Sequence, residues 1–168
     1  EWAELMNKDL TARPILPQLI LREAMDLLGA APIVSVGAGT HTTFAGKFVV
    51  GKTRRMLRSV GLGQMGYAFP AALGGKLALP DVPAIVLVGD GDFAMVMQDL
   101  ETAVRRKLAV VVVIFNDFSM GAVRHFQRTQ HGGRYIGVEH GNPDFAGLAR
   151  LFGAHGERVE DPARLRPA

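Results

Sequence analysis

The sequence predicts an α/β fold, a doubly wound parallel sheet with helices on both faces. The first observation is a pair of short, continuous apolar runs rich in branched residues, at 84–88 and 110–115. Such runs are typical of parallel strands that are buried on both faces. The second observation is that apolar residues recur at helical spacing over 93–107, between the two runs. A strand, a helix and a second strand form a right-handed crossover, which is the repeating unit of a parallel sheet.

The same patterns extend on either side of this unit. Before it, helices are predicted at 17–28 and 67–79, and strands at 33–36 and 56–60. Gly29 is placed to end the first helix, and Pro70 falls in the first turn of the second, where proline is tolerated. After the unit, helices are predicted at 120–127 and 142–152, and a fifth strand at 155–159. Strands that alternate with helices indicate a doubly wound sheet.

Composition excludes several classes of protein. The chain has 168 residues, 48% apolar and 21% charged, which is enough for one α/β domain with a core. No apolar stretch approaches the ~20 residues of a membrane span. A net charge of +3 with 7% aromatic residues does not provide the basic stripe of a nucleic-acid-binding surface. The chain has no cysteine, and its acidic start lacks the apolar core of a signal peptide, so we predict a cytoplasmic protein.

The two ends of the chain differ from its middle. Residues 1–13 lack a core pattern and are predicted to be the remnant of an interdomain linker, so that residues 14–168 form the domain. The last residues, 161–166, look like the first turn of a helix that then stops. We therefore expect a final helix and strand to be missing from the fold.

Two acidic segments follow the two apolar runs. Gly89-Asp90-Gly91 closes the first run, and Asn116-Asp117 closes the second, with residues 92–115 between them. Each segment alone is an ordinary turn. Together they predict a cation site, because ligands of such sheets lie at the carboxyl ends of the strands. Mg²⁺ prefers about six oxygen ligands and uses one or two carboxylates together with phosphates and water, so Asp90 and Asp117 would supply part of such a shell.

Four segments in order carry a family resemblance. They are GAGTH at 37–41, GLGQMGYAFPAA at 61–72, GDG at 89–91 and NDFSMG at 116–121. Over about residues 14–158 the chain resembles the diphosphate-binding, C-terminal domain of the thiamine diphosphate-dependent enzymes, and within them the acetolactate synthases.

The resemblance implies a set of site residues. The implied Mg²⁺ ligands are the carboxylates of Asp90 and Asp117 and the carbonyl of Ser119. Met65 corresponds to the apolar residue under the bend of the cofactor, and the Gly63 carbonyl to the acceptor of its pyrimidine amino group. The remaining implied contacts are near the diphosphate, from Gly39, Thr40, His41, Gly89, Gly91, Asp92, Met120 and Gly121. Gly91 and Asp92 would contribute their backbone N–H groups at a helix start.

The resemblance also implies a function. It implies a thiamine diphosphate- and Mg²⁺-dependent lyase or transferase, which decarboxylates a small 2-oxo acid, ligates the product to a second carbonyl, or both. The glutamate that protonates the cofactor belongs to a pyrimidine-binding domain of the same or a neighbouring chain. No catalytic residue is therefore expected in this chain, and we predict that it is inactive in isolation. A homodimer or homotetramer is implied, and FAD only through a middle domain that is absent here.

Three positions depart from the pattern of acetolactate synthases. Asp117 stands where a second asparagine is common, and Thr40 where a glutamine is common. Ala122 and Phe126 would border the substrate pocket, and Phe126 replaces a tryptophan. The last difference argues against a true branched-chain acetolactate synthase and leaves the general class unchanged.

Three alternatives remain open from the sequence. The chain could be the small subunit of a split 2-oxo acid decarboxylase, or a non-catalytic degenerate domain kept for assembly. Residues 61–66 also fit the G-x-G-x-x-G pattern of dinucleotide-binding folds. That pattern is weak here, because the preceding segment 53–58 is too polar for a buried strand and Asp81, the acidic residue about 20 positions on, lies in a turn.

Overall fold

The computed structural model describes residues 11, 13–29, 31–49 and 51–166. The predicted linker at 1–13 therefore lies almost entirely outside the described residues. Among the described residues, no helix is both long and apolar enough to cross a membrane.

The predicted parallel sheet is confirmed. Its strands are β1 (Ile33–Val36), β2 (Arg55–Arg58), β3 (Ala84–Gly89) and β4 (Val111–Phe115). They are all parallel in the order β2-β1-β3-β4. The helices are α1 (Pro17–Leu28), α2 (His41–Phe48), α3 (Ala68–Ala78), α4 (Asp90–Ala94), α5 (Leu100–Arg105), α6 (Gly121–Gln130) and α7 (Phe145–Leu151). Gly29 follows α1 with φ 67, as expected of a helix-ending glycine.

The helices cover both faces of the sheet, as predicted. On one face α1 and α2 pack on Val34, Val36, Ile85 and Leu87. On the other face α3, α4, α5 and α7 pack on Val86 and Val88, with Val112 and Ile114 at the margin of this cluster. Alternate residues of one strand thus enter two different cores, which explains why these strands read as continuous apolar runs.

The single helix predicted over 93–107 is wrong. The chain forms α4, then a 3₁₀ turn at Met97–Asp99, then α5. The break lies at Val96, whose φ of −136 and ψ of 13 are not helical. The side chain of Val96 also packs against the backbone of Gly66, where an added Cβ would lie 3.2 Å from it. Helix α4 begins at Asp90 instead of Phe93, so the acidic turn is the first turn of the helix.

The fifth strand predicted over 155–159 does not form. Residues 155–160 adopt neither helix nor strand. The Gly156 backbone packs on α7 instead of beside β4, and a Cβ there would lie 2.4 Å from the carbonyl oxygen of Ala146. The Gly156 carbonyl accepts a hydrogen bond from Arg150 Nη1 at 2.5 Å, so it is not free for a strand ladder.

The other boundaries moved by a few residues. Strand β2 begins one residue earlier and ends two residues earlier than predicted. Helix α6 ends at Gln130, three residues after the predicted end at 127. Helix α7 begins at Phe145, since Asp144 has an extended ψ of 94.

Candidate functional site

The candidate site lies at the carboxyl ends of β1, β3 and β4. The chain proceeds from β1 outward to β2 and then returns to β3 on the other side of β1, so the strand order reverses between β1 and β3. Such a switch point opens a crevice where ligands of α/β sheets bind. Three helices, α2, α4 and α6, begin at this edge. Their first-turn N–H groups and dipoles favour an anion in the crevice.

Asp90 is a buried carboxylate with a fixed orientation. Its side chain is 2% exposed. Its Oδ1 accepts from Gly91 N at 2.8 Å, and its Oδ2 accepts from Phe118 N and from Asn142 Nδ2, both at 2.7 Å. Three donors on two oxygens compensate for the loss of hydration and leave acceptor capacity for a cation.

Asp117 is the exposed member of the pair. Its Oδ1 accepts from Ser119 N at 3.1 Å. Partial burial and then the nearby Asp90 carboxylate raise the pKa of Asp117, while hydrogen bonds from Ser119 oppose the shift. Two carboxylates that disfavour each other's charge are stabilised by a cation placed between them. A Cβ on Gly121 would lie 3.1 Å from Asp117 Oδ2 and 3.5 Å from Thr40 Oγ1, so these residues converge.

The loop after β4 is held by a short antiparallel bridge. Ser119 pairs with Glu139, and Met120 N donates to the Val138 carbonyl at 2.7 Å. Phe118 has a φ of 55, a left-handed conformation that is costly for a bulky side chain and that occurs at functional sites. Its N–H donates to Asp90, so the strained residue is fixed to the buried carboxylate.

Three side chains fill the space in which a Cβ on Gly91 would stand. A Cβ there would lie 2.9 Å from Met120 Sδ, 3.4 Å from His140 Nε2 and 3.5 Å from Met65 Cε. His140 Nε2 also lies 3.9 Å from Asp90 Oδ1, and it is buried without a hydrogen-bond partner among the described residues. Two soft apolar side chains and one imidazole therefore surround the backbone of the acidic turn.

His41 is held neutral at the start of α2. It is 5% exposed, and its ring stacks on Phe115 with centroids 5.6 Å apart. Burial lowers the pKa of His41 to about 4, and a hydrogen bond with the Gly37 backbone offsets only part of this effect. At neutral pH the imidazole therefore adds no positive charge to the crevice.

Asp92 faces two loops that the other acidic residues do not reach. Its side chain is 2% exposed. Its Oδ2 accepts from Ala38 N at 2.8 Å, and its Oδ1 accepts from Gly66 N at 2.5 Å. Burial raises the pKa of Asp92, and the bonds from Gly66 and Ala38 act in the opposite direction.

The structure brings most of the residues implied by the sequence to one open cavity of ≈ 1480 Å³. Those that line it are Gly39, Thr40, His41, Met65, Gly89, Asp90, Gly91, Asp92, Asp117, Ser119, Met120, Gly121 and Ala122. Gly63 lines a separate cavity of ≈ 240 Å³ beside Gly37. Phe126 is 55% exposed on α6 and is not part of the lining of the large cavity. It stacks edge-on against His131, with ring centroids 5.3 Å apart.

Two polar residues of the site were missed from the sequence. Asn142 Nδ2 donates to Asp90 Oδ2 and also to Asn116 Oδ1 at 2.8 Å. His140 lies against the Gly91 backbone. Both belong to a polar loop, His140-Gly141-Asn142, that has the composition of an ordinary turn, and only the bridge at Ser119 brings it to the site.

The donors present fit the implied cation and diphosphate. Among the described residues, no group of three or more His, Cys, Asp and Glu side chains could hold a metal alone. The implied set is different, since it combines two carboxylates and one carbonyl with oxygens of a diphosphate. These are all hard oxygen ligands, which suit Mg²⁺. Backbone N–H groups at the start of α4 lie at this edge of the sheet and suit the anionic diphosphate.

A parallel, doubly wound sheet with this acidic crevice at its switch point defines a cofactor-binding α/β fold. The profile of the family described as "Thiamine pyrophosphate enzyme, C-terminal TPP binding domain" matches residues 37–168. The chain belongs to this family of thiamine pyrophosphate (thiamine diphosphate) enzymes, as the sequence predicted.

Curated relatives agree with this family. The chain is 37% identical to an acetolactate synthase large subunit of Parasynechococcus marenigrum, over 95% of this chain and 28% of that protein. It is 35% identical to a probable acetolactate synthase large subunit of Methanococcus aeolicus, over 100% of this chain and 31% of that protein. It is 33% identical to a putative thiamine pyrophosphate-containing protein of Bacillus subtilis, over 99% of this chain and 29% of that protein. The chain thus spans less than a third of the length of these relatives.

Proposed function

We propose that this chain is the diphosphate-binding part of a thiamine diphosphate- and Mg²⁺-dependent enzyme acting on a small 2-oxo acid. The single observation that carries the proposal is the pairing of buried Asp90 with Asp117 at the switch point of the sheet. The family supports the cofactor, and the names of the acetolactate synthase relatives support the class of reaction.

The chain's own residues would bind and orient. Asp90, Asp117 and the Ser119 carbonyl would hold Mg²⁺, and the ion would hold the diphosphate. The backbone N–H groups at the starts of α4 and α6 would face the remaining diphosphate oxygens. Met65, whose Cε lies close to the Gly91 backbone, would support the bent cofactor from below. When bound, the cofactor supplies an electron sink for the electron pair that remains when carbon dioxide leaves a 2-oxo acid.

Further parts of the active site are proposed to come from other protein. A pyrimidine-binding domain of the same or a neighbouring chain would supply the glutamate and, in a homodimer or homotetramer, would cover the crevice. Ala122 and Phe126 are exposed on α6 and would border the substrate only with such a partner in place. FAD would bind only to a separate domain.

An assembly-only domain is supported less well. Asp90 is buried and receives three hydrogen bonds. Burial of a carboxylate costs free energy, and a domain without a binding function would have no reason to keep such a residue. A split decarboxylase, with the pyrimidine-binding domain on a separate chain, remains compatible with the same site and differs only in where the glutamate resides.

The activity test uses the complete protein that contains this chain. Carbon dioxide release from pyruvate and a panel of longer 2-oxo acids is measured with thiamine diphosphate and Mg²⁺, and again with a metal chelator. Release that needs both additions, and that is absent from the 168-residue chain alone, is the expected result. Turnover by the isolated chain, or turnover that ignores the cofactor, would contradict the proposal.

A further inference from the structure

The carboxylate of Asp92 joins three segments of the site. Asp92 itself lies in the first turn of α4, directly after the acidic turn at Asp90. Through Ala38 N at 2.8 Å it holds the loop that follows β1, and through Gly66 N at 2.5 Å it holds the loop before α3. Both loops carry residues that the cofactor is proposed to meet, Thr40 and His41 on the first and Met65 on the second.

Cation binding does not explain why the carboxylate of Asp92 is buried. Its two oxygens accept from the backbone of two loops, whereas Asp90 and Asp117 interact with each other and with the loop after β4. A carboxylate that is 2% exposed loses most of its hydration. Charge-assisted bonds from backbone N–H groups are the compensation that the fold provides. An asparagine of the same shape could not accept at both positions, because its amide nitrogen is only a donor.

Gly37 leaves room for the Asp92 carboxylate because it has no side chain. A Cβ on Gly37 would lie 1.8 Å from Asp92 Oδ2 and 2.9 Å from its Cγ, which no real side chain tolerates. The carboxylate therefore occupies the space that a side chain at position 37 would need. Gly37 and Asp92 form a reciprocal pair in which each residue permits the other.

We propose that Asp92 is a positioning residue that sets the spacing between the loop of Gly37–His41 and the loop of Met65 around the bound cofactor. This inference rests on the proposed function. In it, Asp92 contacts neither Mg²⁺ nor substrate and acts through the two loops that it holds. Loss of the carboxylate frees both loops at once, so the two ends of the cofactor site lose their fixed separation.

The test measures cofactor binding directly. Isothermal titration calorimetry with thiamine diphosphate and Mg²⁺ is applied to the complete protein and its variants Asp92→Asn, Asp92→Ala and Gly37→Ala. Removal of a supporting partner behind a binding group typically costs about 10- to 100-fold in affinity, and we expect a loss of that size for each variant. The near-UV circular dichroism band of bound cofactor, at saturating concentration, should also change in Asp92→Asn. A residue with only a structural role would lower the melting temperature without altering that band.

A double variant and a control complete the test. In the Asp92→Ala background, Gly37→Ala should cause a much smaller loss than in the wild type, because the 1.8 Å clash with Asp92 Oδ2 is gone and only a 3.1 Å approach to Val88 Cγ1 remains. The control is Asp81→Asn, an exposed carboxylate just before β3 at the opposite edge of the sheet, and it should bind as the wild type does. If the wild type and Asp92→Asn bind the cofactor equally well, the positioning role of Asp92 is overturned while the proposed function stands. Losses that add up in the double variant would have the same meaning. A wild-type protein that fails to bind the cofactor would overturn the proposed function as well.

Discussion

Asp90 and Asp117 differ in how much freedom the fold leaves them. Asp90 is buried and receives three hydrogen bonds, whereas Asp117 is exposed and is held by Ser119. The raised pKa of Asp117 indicates that burial and the charge of Asp90 oppose its ionisation before a cation arrives. Mg²⁺ would relieve that repulsion, so the second carboxylate is expected to strengthen cation binding.

Asp117→Asn tests this expectation. The amide keeps one oxygen ligand and removes one negative charge, and cation affinity depends on ligand charge, so the apparent dissociation constant for Mg²⁺ should rise by about 10-fold. The constant is measured by titrating Mg²⁺ at fixed thiamine diphosphate, with Asp81→Asn as the matched control. Unchanged or tighter Mg²⁺ binding would show that repulsion outweighs attraction at this position.

His41 should make the folded state sensitive to acid. The pKa of His41 is about 4 in the folded protein, below its ordinary value of 6.5, because the ring is buried. Between these values the unfolded chain binds the proton and the folded chain does not, so stability is lost as pH falls from about 6.5 to about 4. The full loss from this group is of order 3 kcal/mol.

The measurement is the free energy of unfolding in urea at several pH values across that window, for wild type and His41→Gln. The raised pKa values of Asp92 and Asp117 have the opposite sign, since they favour the folded state as pH falls. The comparison between variants isolates His41 because both carry these carboxylates. If the free energy of unfolding depends on pH in the same way for wild type and His41→Gln, the lowered pKa of His41 is contradicted.

Among the elements, β1 and β3 were predicted well because buried strands require apolar residues at nearly every position. Val86 and Val88 face one core while Ile85 and Leu87 face the other, so the apolar run is continuous. The acidic turns followed from the strands, since the carboxyl ends of parallel strands share one edge. The failures depended on contacts between distant residues. The helix broke at Val96 where it packs on Gly66, and residues 155–159 packed on α7 instead of beside β4.

Local sequence patterns were enough to place the two acidic turns at one edge of the sheet, whereas residues that reach this edge through tertiary contacts were missed. GDG and ND mark the ends of strands and can be found in a string of letters. Asn142 cannot, because it reaches Asp90 only through the bridge between Ser119 and Glu139. The side-chain role of Asp92 was also invisible, since its partners Ala38 and Gly66 contribute only backbone N–H groups.

Helix α4 is held in place by an aromatic cluster. Phe93 is 2% exposed, and its ring centroid lies 5.5 Å from that of Phe69 and 5.6 Å from that of Phe145. Phe93→Ala should lower the free energy of unfolding by about 3–5 kcal/mol, through lost burial and the cavity that remains. Urea denaturation measures this loss. Leu151→Ala, at a side chain 86% exposed, is the control and should change it by no more than about 0.5 kcal/mol. A loss below ~1 kcal/mol at Phe93 would contradict the packing described.

The loop that carries Asn142 supports Asp90 from the side. Asn142→Ala removes one of two donors to Asp90 Oδ2 and should weaken Mg²⁺-dependent cofactor binding by about 10-fold. Asn142→Asp places a second carboxylate 2.7 Å from that oxygen, so it should weaken binding more than the alanine does. The graded order is checked by calorimetric titration of both variants. Equal binding of wild type and both variants would show that Asn142 does not orient Asp90.

The fold as a whole brings polar groups from three strand ends to one edge of the sheet. The large cavity is open and extends from the crevice along β4, where Val111 is 53% exposed. The relatives are more than three times as long as this chain, which spans 28% and 31% of two acetolactate synthase large subunits. We propose that further protein completes the active site to which this chain contributes the cofactor-binding edge.

We propose that Asp90 binds thiamine diphosphate through Mg²⁺, and one titration tests this binding. Calorimetric titration of thiamine diphosphate into the complete protein is performed with Mg²⁺, with a chelator, and with Asp90→Ala in place of wild type. We predict saturable binding of one cofactor per chain with Mg²⁺, and loss of that binding in both other cases. Equal binding with chelator, or by Asp90→Ala, would contradict the site, and no binding in any case would contradict the function.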